Sequence, residues 1–517
     1  MSAALFGLAS PFAAGCSDAG GEGGERAGSS GDALVRETLA GPGAQDIAWQ
    51  ECGTTYKGEC ATIRVPVDWD HPEGETFELA IGRVKALEPQ NRIGVLLVNP
   101  GGPGASGIDR YTIGRRITDD SLLRKRFDIV TWDPRGVARS HPVQCDKELL
   151  GQAPSTYPKT QQEYKNLLAY NTKLGADCRA RTGPLFDHVD TVSTVRDLDA
   201  IRAALGEETI SFLGWSYGTQ VGQQYAELFP QRVRAMTIDS NMDHSNFSAY
   251  EYMRSATEDF EESFYAFADW CDRTPACSLH GQDVVQVWDT LHRRAAAGKL
   301  IDPQTGKPLD DESLRGNLFS PMYDPARWFT LADRLASLQS GVRSARAVTE
   351  SEELEENSYQ AIWCEDWSWR VGGFHELDSY RRSLAANYPH TKLSRFWSDI
   401  TACLGWPAKI VNRQHRLSIH GTPTILIVTG RHDVATPHSW NTAVADQIDD
   451  SVFLAYDGVG HGQYFHSPCV RDHIETYLTT LKTPAPNTHC PAVWPTTPAS
   501  TLASEPNDSP RRPVHTP

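Results

Sequence analysis

Six short runs of β-branched and aliphatic residues recur along the chain, at 94–98, 127–131, 209–213, 234–238, 424–428 and 452–455. They are nearly continuous rather than alternating, which predicts strands covered on both faces, as in a parallel sheet. Ahead of the third run, Val195, Leu198, Ile201 and Leu205 fall every three or four residues, with Ser193 or Thr194 as a cap and Gly206 as a stop. That spacing predicts a helix and, with its neighbours, a βαβ rhythm. Two earlier runs, 62–66 and 77–81, predict an antiparallel edge. The rhythm breaks after Asp239 and resumes near Thr422, and the gap carries helical patterns such as 256–270 and 332–338. The chain is therefore expected to hold a core in two parts, 48–240 and 411–490, with a helical module at 241–410 inserted between them. At 517 residues it is long enough for that arrangement. The insert contains eight of the fourteen tryptophans, more aromatic surface than a purely structural lid needs.

The two ends read differently. Residues 1–15 carry no charge and resemble the apolar core of an export signal, ending in Ala13-Ala14-Gly15-Cys16. That ending resembles a bacterial lipobox, with Ala13 where Leu is usual and no Lys or Arg before the apolar run. Lipid attachment at Cys16, simple secretion and a misplaced start are the readings it leaves open. Residues 16–47 are expected to be a flexible tether and 491–517, rich in Pro, Thr and Ser, a disordered tail. The expected location is extracellular or on the cell surface, with membrane contact only through a lipid on Cys16. No stretch approaches the roughly 20 apolar residues that span a bilayer.

Charge and cysteine usage narrow the chemistry. Acidic residues outnumber basic ones 66 to 49, a net charge of −17, with no Lys/Arg-rich run, so nucleic acid is not an expected partner. Setting aside Cys16 leaves ten of the eleven cysteines, an even number that in an exported chain suggests disulfides. Proximity alone pairs Cys52 with Cys60, Cys145 with Cys178, Cys271 with Cys277, Cys364 with Cys403 and Cys469 with Cys490. Neither Cys-x-x-Cys nor His-Glu-x-x-His spacing occurs, and no metal or organic cofactor is expected.

Gly214-Trp215-Ser216-Tyr217-Gly218 fits G-x-S-x-G, and its context carries more weight than the pattern. An apolar run leads in and a helical stretch leads out, the strand–turn–helix that lifts a serine hydroxyl above a sheet. A serine at its ordinary pKa is a weak nucleophile, so an acid and a base must follow in the order Ser, Asp/Glu, His. Asp433 follows the strand at 424–428, and His461 lies in the glycine-rich loop after the next one, with His432 and His466 as nearby decoys. Either residue has an ordinary alternative, a helix cap or a surface histidine; matched order and matched strand ends favour the functional reading. Asn99-Pro100-Gly101-Gly102-Pro103-Gly104 follows the strand at 94–98, where the backbone N–H of Gly102, with that of Tyr217, would face a developing oxyanion.

Together with Asp133-Pro134-Arg135-Gly136-Val137, these motifs resemble the actinobacterial α/β-hydrolase tripeptidyl aminopeptidases and related lipoprotein peptidases, relatives of proline iminopeptidase with a TAP-like C-terminal segment. The resemblance covers roughly 48–490. It implies an α/β-hydrolase fold, a mostly parallel sheet with helices on both faces and an inserted helical cap, and hydrolysis near the free N-terminus of peptides. It assigns nucleophile to Ser216, acid to Asp433, base to His461 and oxyanion donors to Gly102 and Tyr217. Ala138 departs from the pattern, standing where such sequences often have Gly.

The substrate is expected to be a peptide or a small amide or ester; the same residues also suit a carboxylesterase or a hydrolase of a small metabolite. An enzyme that releases N-terminal peptides needs an acidic group at a fixed distance from Ser216 to pair with the substrate ammonium. Glu365 and Asp366, in Trp363-Cys364-Glu365-Asp366-Trp367, are the candidates within the cap; an acidic pair beside core tryptophans is the alternative.

Overall fold

The computed structural model describes residues 46–53, 58–342 and 357–497; the expected export signal, Cys16 and most of the tether lie outside them. Ten strands are described: β1 Gln50–Cys52, β2 Gly58–Pro66, β3 Thr76–Val84, β4 Gly94–Asn99, β5 Phe127–Trp132, β6 Ile210–Trp215, β7 Val233–Asp239, β8 Ile425–His432, β9 Ser451–Val459 and β10 Thr488–Cys490. They form one sheet in the order β1-β2-β3-β5-β4-β6-β7-β8-β9-β10. The edge β1-β2-β3 is antiparallel, including its junction with β5, and every pair from β5 to β10 is parallel. Burial explains the parallel part. β4 and β6 are buried at every position, as strands with both faces covered must be. This is an α/β-hydrolase fold.

The six apolar runs all fall in strands, apart from Thr209 and Thr424, which stand just ahead of β6 and β8, and β4, β7 and β8 run on into polar residues at their carboxyl ends. Two short polar strands add to the pattern: β1 pairs with β2 and is tied to it by Cys52–Cys60, and β10 pairs with β9, its Cys490 bridged to Cys469. All five disulfides join the cysteines that proximity suggested. The helix expected near Val195 is Thr191–Ala204, but its cap is Asp190, whose carboxylate accepts from Ser193 N at 2.9 Å. Ser193 itself lies in the first turn. An aspartate at the capping position takes the role that pattern alone gave to a hydroxyl three or four residues on.

The strand order reverses around β4, with β5 on one side and β6 on the other. Loops leaving the carboxyl ends of β4 and β6 therefore diverge and leave a crevice, the place where open α/β sheets bind ligands. Between β7 and β8 the described residues add no strand to the sheet and run through helices, the longest being Ala249–Arg273. This insert has an aromatic interior. Trp363, Trp367 and Trp369 stack in series with centroids 4.7 and 5.2 Å apart, and Trp270 packs edge-on against Trp328.

The tail is a correction at its near end. Over 491–497 the chain is anchored: Trp270 Nε1 donates to Pro495 O at 2.9 Å, Val493 N donates to the Tyr456 hydroxyl at 3.0 Å, and Trp494 packs against Trp328. A single tryptophan with a ring partner outweighs the proline-rich composition around it; residues 498–517 lie outside the described part.

Asp133-Pro134-Arg135-Gly136-Val137 is a structural hub. The Arg135 guanidinium is fully buried, forks onto both Asp197 oxygens at 2.8 and 2.6 Å, and donates to the carbonyls of Pro66, Val67 and His188. Ala138 just beyond takes φ +43°, a left-handed conformation in which glycine is at ease and alanine is strained.

Candidate active site

Ser216 stands between β6 and the helix Tyr217–Leu228 with φ +57° and ψ −130°. For a residue with a side chain this conformation costs on the order of 1–3 kcal/mol, and the surroundings hold it there. Ser216 N donates to Asp239 O at 3.2 Å, and its own carbonyl accepts from Thr219 N and Oγ1. The flanking glycine is required by contact: a Cβ on Gly218 would lie 2.6 Å from Asn99 O, so only glycine lets the helix start against β4. On the facing loop, a Cβ on Gly101 would lie 2.9 Å from both Ser216 Cβ and Tyr217 N. The Asn99–Gly104 loop thus runs directly against the elbow. Asn99 Oδ1 fixes it by accepting from Gly101 N at 2.9 Å.

Asp433 follows β8 and is fully buried. His461 Nδ1 lies 2.8 Å from its Oδ1 and 3.0 Å from its Oδ2. Ala435 N and Thr436 N donate to Oδ1 at 3.0 and 3.1 Å, and Thr436 Oγ1 to Oδ2 at 2.9 Å. Burial pushes this carboxyl up, but the charge and hydrogen bond of His461, with the further donors, hold it below its ordinary value. The carboxylate is ionised and aimed at one imidazole nitrogen. His461, Ser216 and Gly102 line one cavity together.

The decoys serve elsewhere. His432 Nδ1 lies 3.5 Å from Glu262, and His466 Nε2 lies 3.0 Å from His461 O, so His466 braces the loop from behind. Among the described residues one group of three metal-capable side chains occurs, Cys469, His473 and Cys490. Its two sulfurs are joined in a disulfide and are not available as thiolate ligands.

Glu365 and Asp366 are a correction. Both are fully buried and neither lines the cavity. They end the helix Ser358–Asp366, whose Trp363 begins the tryptophan stack. Asp366 accepts from Thr191 N and Asn412 Nδ2, each at 2.9 Å, and from the hydroxyls of Thr191 and Tyr217. Burial, then the nearby Asp190, raises its carboxyl to about 7. Glu365 accepts from Val189 N at 3.0 Å and is pushed well above the carboxylate range by burial and by Asp190 and Asp366. Neither acid can meet a substrate ammonium from there. Asp366 instead holds the Tyr217 ring, whose backbone N–H was expected to face the oxyanion.

Sequence reasoning missed the residues that hold the histidine loop. Asp239, at the carboxyl end of β7, accepts from Gln463 N at 3.0 Å and Tyr464 N at 2.9 Å, while Ser240 Oγ accepts from Gly462 N at 2.9 Å. Burial raises the Asp239 carboxyl to about 6 against those donors. Through its carbonyl the same residue meets Ser216 N, so one position ties both loops together. From the insert, Tyr323 O accepts from His461 N at 3.0 Å. The available signal for Asp239 was an acid at the end of the strand after the elbow strand.

This geometry places the protein among the α/β-hydrolases, enzymes that set a serine on a tight turn at the carboxyl edge of the sheet and a carboxylate-bound imidazole beside it. The family described as TAP-like protein matches residues 389–490, the stretch that carries Asp433 and His461. Serine protease Hip1 of Mycobacterium tuberculosis is 31% identical over 86% of this chain and 91% of its own length. Tripeptidyl aminopeptidase of Streptomyces lividans is 30% identical over 86% of each chain, and carboxylesterase B of Mycobacterium tuberculosis 29% identical over 87% of this chain and 91% of its own. The chain belongs to the TAP-like family of α/β-hydrolases that includes these serine proteases and tripeptidyl aminopeptidases.

Proposed function

We propose that the protein is an exported serine exopeptidase that cleaves peptides near their free N-terminus. The observation that carries this reading is the pair of buried Asp433 and His461, which with Ser216 and Gly102 lines one cavity through the imidazole. His461 takes the proton of Ser216 Oγ as the oxygen attacks the scissile carbonyl; Asp433, ionised, fixes the imidazole tautomer and stabilises the imidazolium. The backbone N–H groups of Gly102 and Tyr217 receive the oxyanion. The amine leaves with the proton from His461, and water activated by the same imidazole hydrolyses the acyl-enzyme. The naming of two relatives as serine protease and tripeptidyl aminopeptidase supports a peptide substrate. Five disulfides support an oxidising compartment; the uncharged leader at 1–15 supports export, with the alternative of a lipid on Cys16 tethering the protein to a membrane.

A fluorophosphonate should label the wild type and fail to label Ser216→Ala, and mass spectrometry of products from a mixed peptide library should show short fragments released from free N-termini only. Labelling that persists in Ser216→Ala, or release from acetylated peptides at equal rates, overturns the reading. The relative named carboxylesterase B supports a second one: the same residues hydrolyse esters. A kcat/KM far higher on short acyl esters than on tripeptide anilides would favour it.

A further inference from the structure

The insert meets His461 with a side chain as well as with a carbonyl. Tyr323 closes the short turn Ser320–Tyr323, which follows the helix Asp311–Phe319, and its ring meets the His461 ring at 80° with centroids 5.2 Å apart. That is an edge-to-face pair. Tyr323 also lines the cavity that Ser216 and His461 line. Its ring is backed by others from the insert: Phe319 packs edge-on against Tyr323 at 5.6 Å, and meets Phe260 at 5.0 Å and Phe396 at 5.5 Å. All four of these side chains are buried. A ladder of aromatic rings thus runs from the interior of the insert to the imidazole, and close packing leaves each ring little room to shift.

The polar contacts of His461 described above fix its backbone and one corner of its ring. Tyr323 O accepts from the backbone N–H, His466 Nε2 lies 3.0 Å from the carbonyl, and Asp433 faces Nδ1. A ring held at one corner can still swing, carrying its other nitrogen through an arc. A second ring packed against it restricts that swing. The stakes are large, because a reacting group displaced by about 1 Å costs on the order of 100-fold in rate.

We propose that Tyr323 is a positioning residue for His461, its aromatic ring holding the imidazole in the orientation from which it takes the Ser216 proton. The insert then helps to set the general base as well as bounding the cavity. This role rests on the assignment of Ser216, Asp433 and His461 under the proposed function, and is independent of whether the substrate is a peptide or an ester.

The experiment separates the ring from the main chain and its effect on His461 from any effect on substrate. Tyr323→Leu removes the ring and keeps the carbonyl that accepts from His461 N; Tyr323→Phe keeps the ring. Each is made in the wild type and in His461→Ala, and the rate constants for 4-nitrophenyl acetate hydrolysis and for fluorophosphonate labelling of Ser216 are measured, with melting curves confirming folded variants. Tyr323→Met replaces the leucine variant in the same comparison if that protein melts early. In the wild type, Tyr323→Leu should lower both rate constants by on the order of 10-fold, a partial misplacement, and Tyr323→Phe should restore them to within about threefold. In His461→Ala, slower by orders of magnitude, Tyr323→Leu should change the residual rate by less than about twofold, because the group it orients is gone. An equal loss in both backgrounds assigns the ring to substrate contact or to the fold and overturns the positioning role. So does an unchanged rate in Tyr323→Leu, or a loss in Tyr323→Phe that matches it and so belongs to the hydroxyl. A His461→Ala protein as fast as the wild type overturns the assignment of the base and this role with it, whereas a slow His461→Ala beside an unaffected Tyr323→Leu overturns this role alone.

Discussion

Asp433 and Asp366 are equally inaccessible to water, yet their carboxyls move in opposite directions, one below its ordinary value and the other up to about 7. Burial is common to both and raises both. The difference lies in the neighbours. Asp433 faces an imidazole and two backbone N–H groups, whereas Asp366 has hydroxyls and amides around it and Asp190 acting against its charge. A buried acid keeps its charge where a cation and donors surround it and takes up a proton where other acids do. The first region is suited to moving protons, the second to holding a framework in place.

The largest effect should come from removing the charge in the first region. Asp433→Asn keeps the shape of the side chain but offers a donor or a neutral acceptor to His461 Nδ1, and kcat should fall by about 10⁴-fold. Stopped assays with the folded variant check this; a loss under tenfold would mean that another acid orients the imidazole.

In the second region the expected readout is stability against pH. The folded chain holds a proton on Asp366 that the unfolded chain, near the ordinary value of 3.8, has released. Stability from this group is therefore complete below about 3.8 and is lost as pH rises toward about 7. Relative to Asp366→Asn, wild-type unfolding free energy should decline across that window with a slope approaching about 1.4 kcal/mol per pH unit. Parallel urea titrations of the two proteins test it, and a constant difference would place the ionisable proton on another group. Asp433 carries the opposite sign, its contribution being present at neutral pH and lost as pH falls through its lowered value.

The smallest change sharpens the comparison from within the first region. Thr436→Val removes the hydroxyl that donates to Asp433 Oδ2 at 2.9 Å. One hydrogen bond of about 1 kcal/mol corresponds to about a fivefold fall in kcat, with the pH at half-maximal kcat displaced upward because a carboxylate short of one donor holds the imidazolium proton of His461 more tightly. An unchanged kcat would show that the backbone donors suffice.

Much of this was legible before any coordinates, for identifiable reasons. The sheet could be read because strands covered on both faces leave continuous apolar runs, and Ser216, Asp433 and His461 because they stand where those runs stop. β1 and β10 escaped because three-residue polar strands have no periodicity; their partners and the cysteines beside them place them. Asp239 escaped because its role lies in accepting backbone N–H groups from a loop more than two hundred residues later. Glu365 and Asp366 were misplaced because a run of tryptophans and acids reads alike whether it lines a cleft or closes a core; helix orientation, which the local pattern leaves undetermined, decides between them.

The bond from His461 N to Tyr323 O gives the inserted segment a second duty. A chain shortened by excising that segment would lose this support for the loop that carries His461. Grafting a relative's insert onto this core would have to carry over an equivalent carbonyl, or rebuild one, to keep that loop held from the same side.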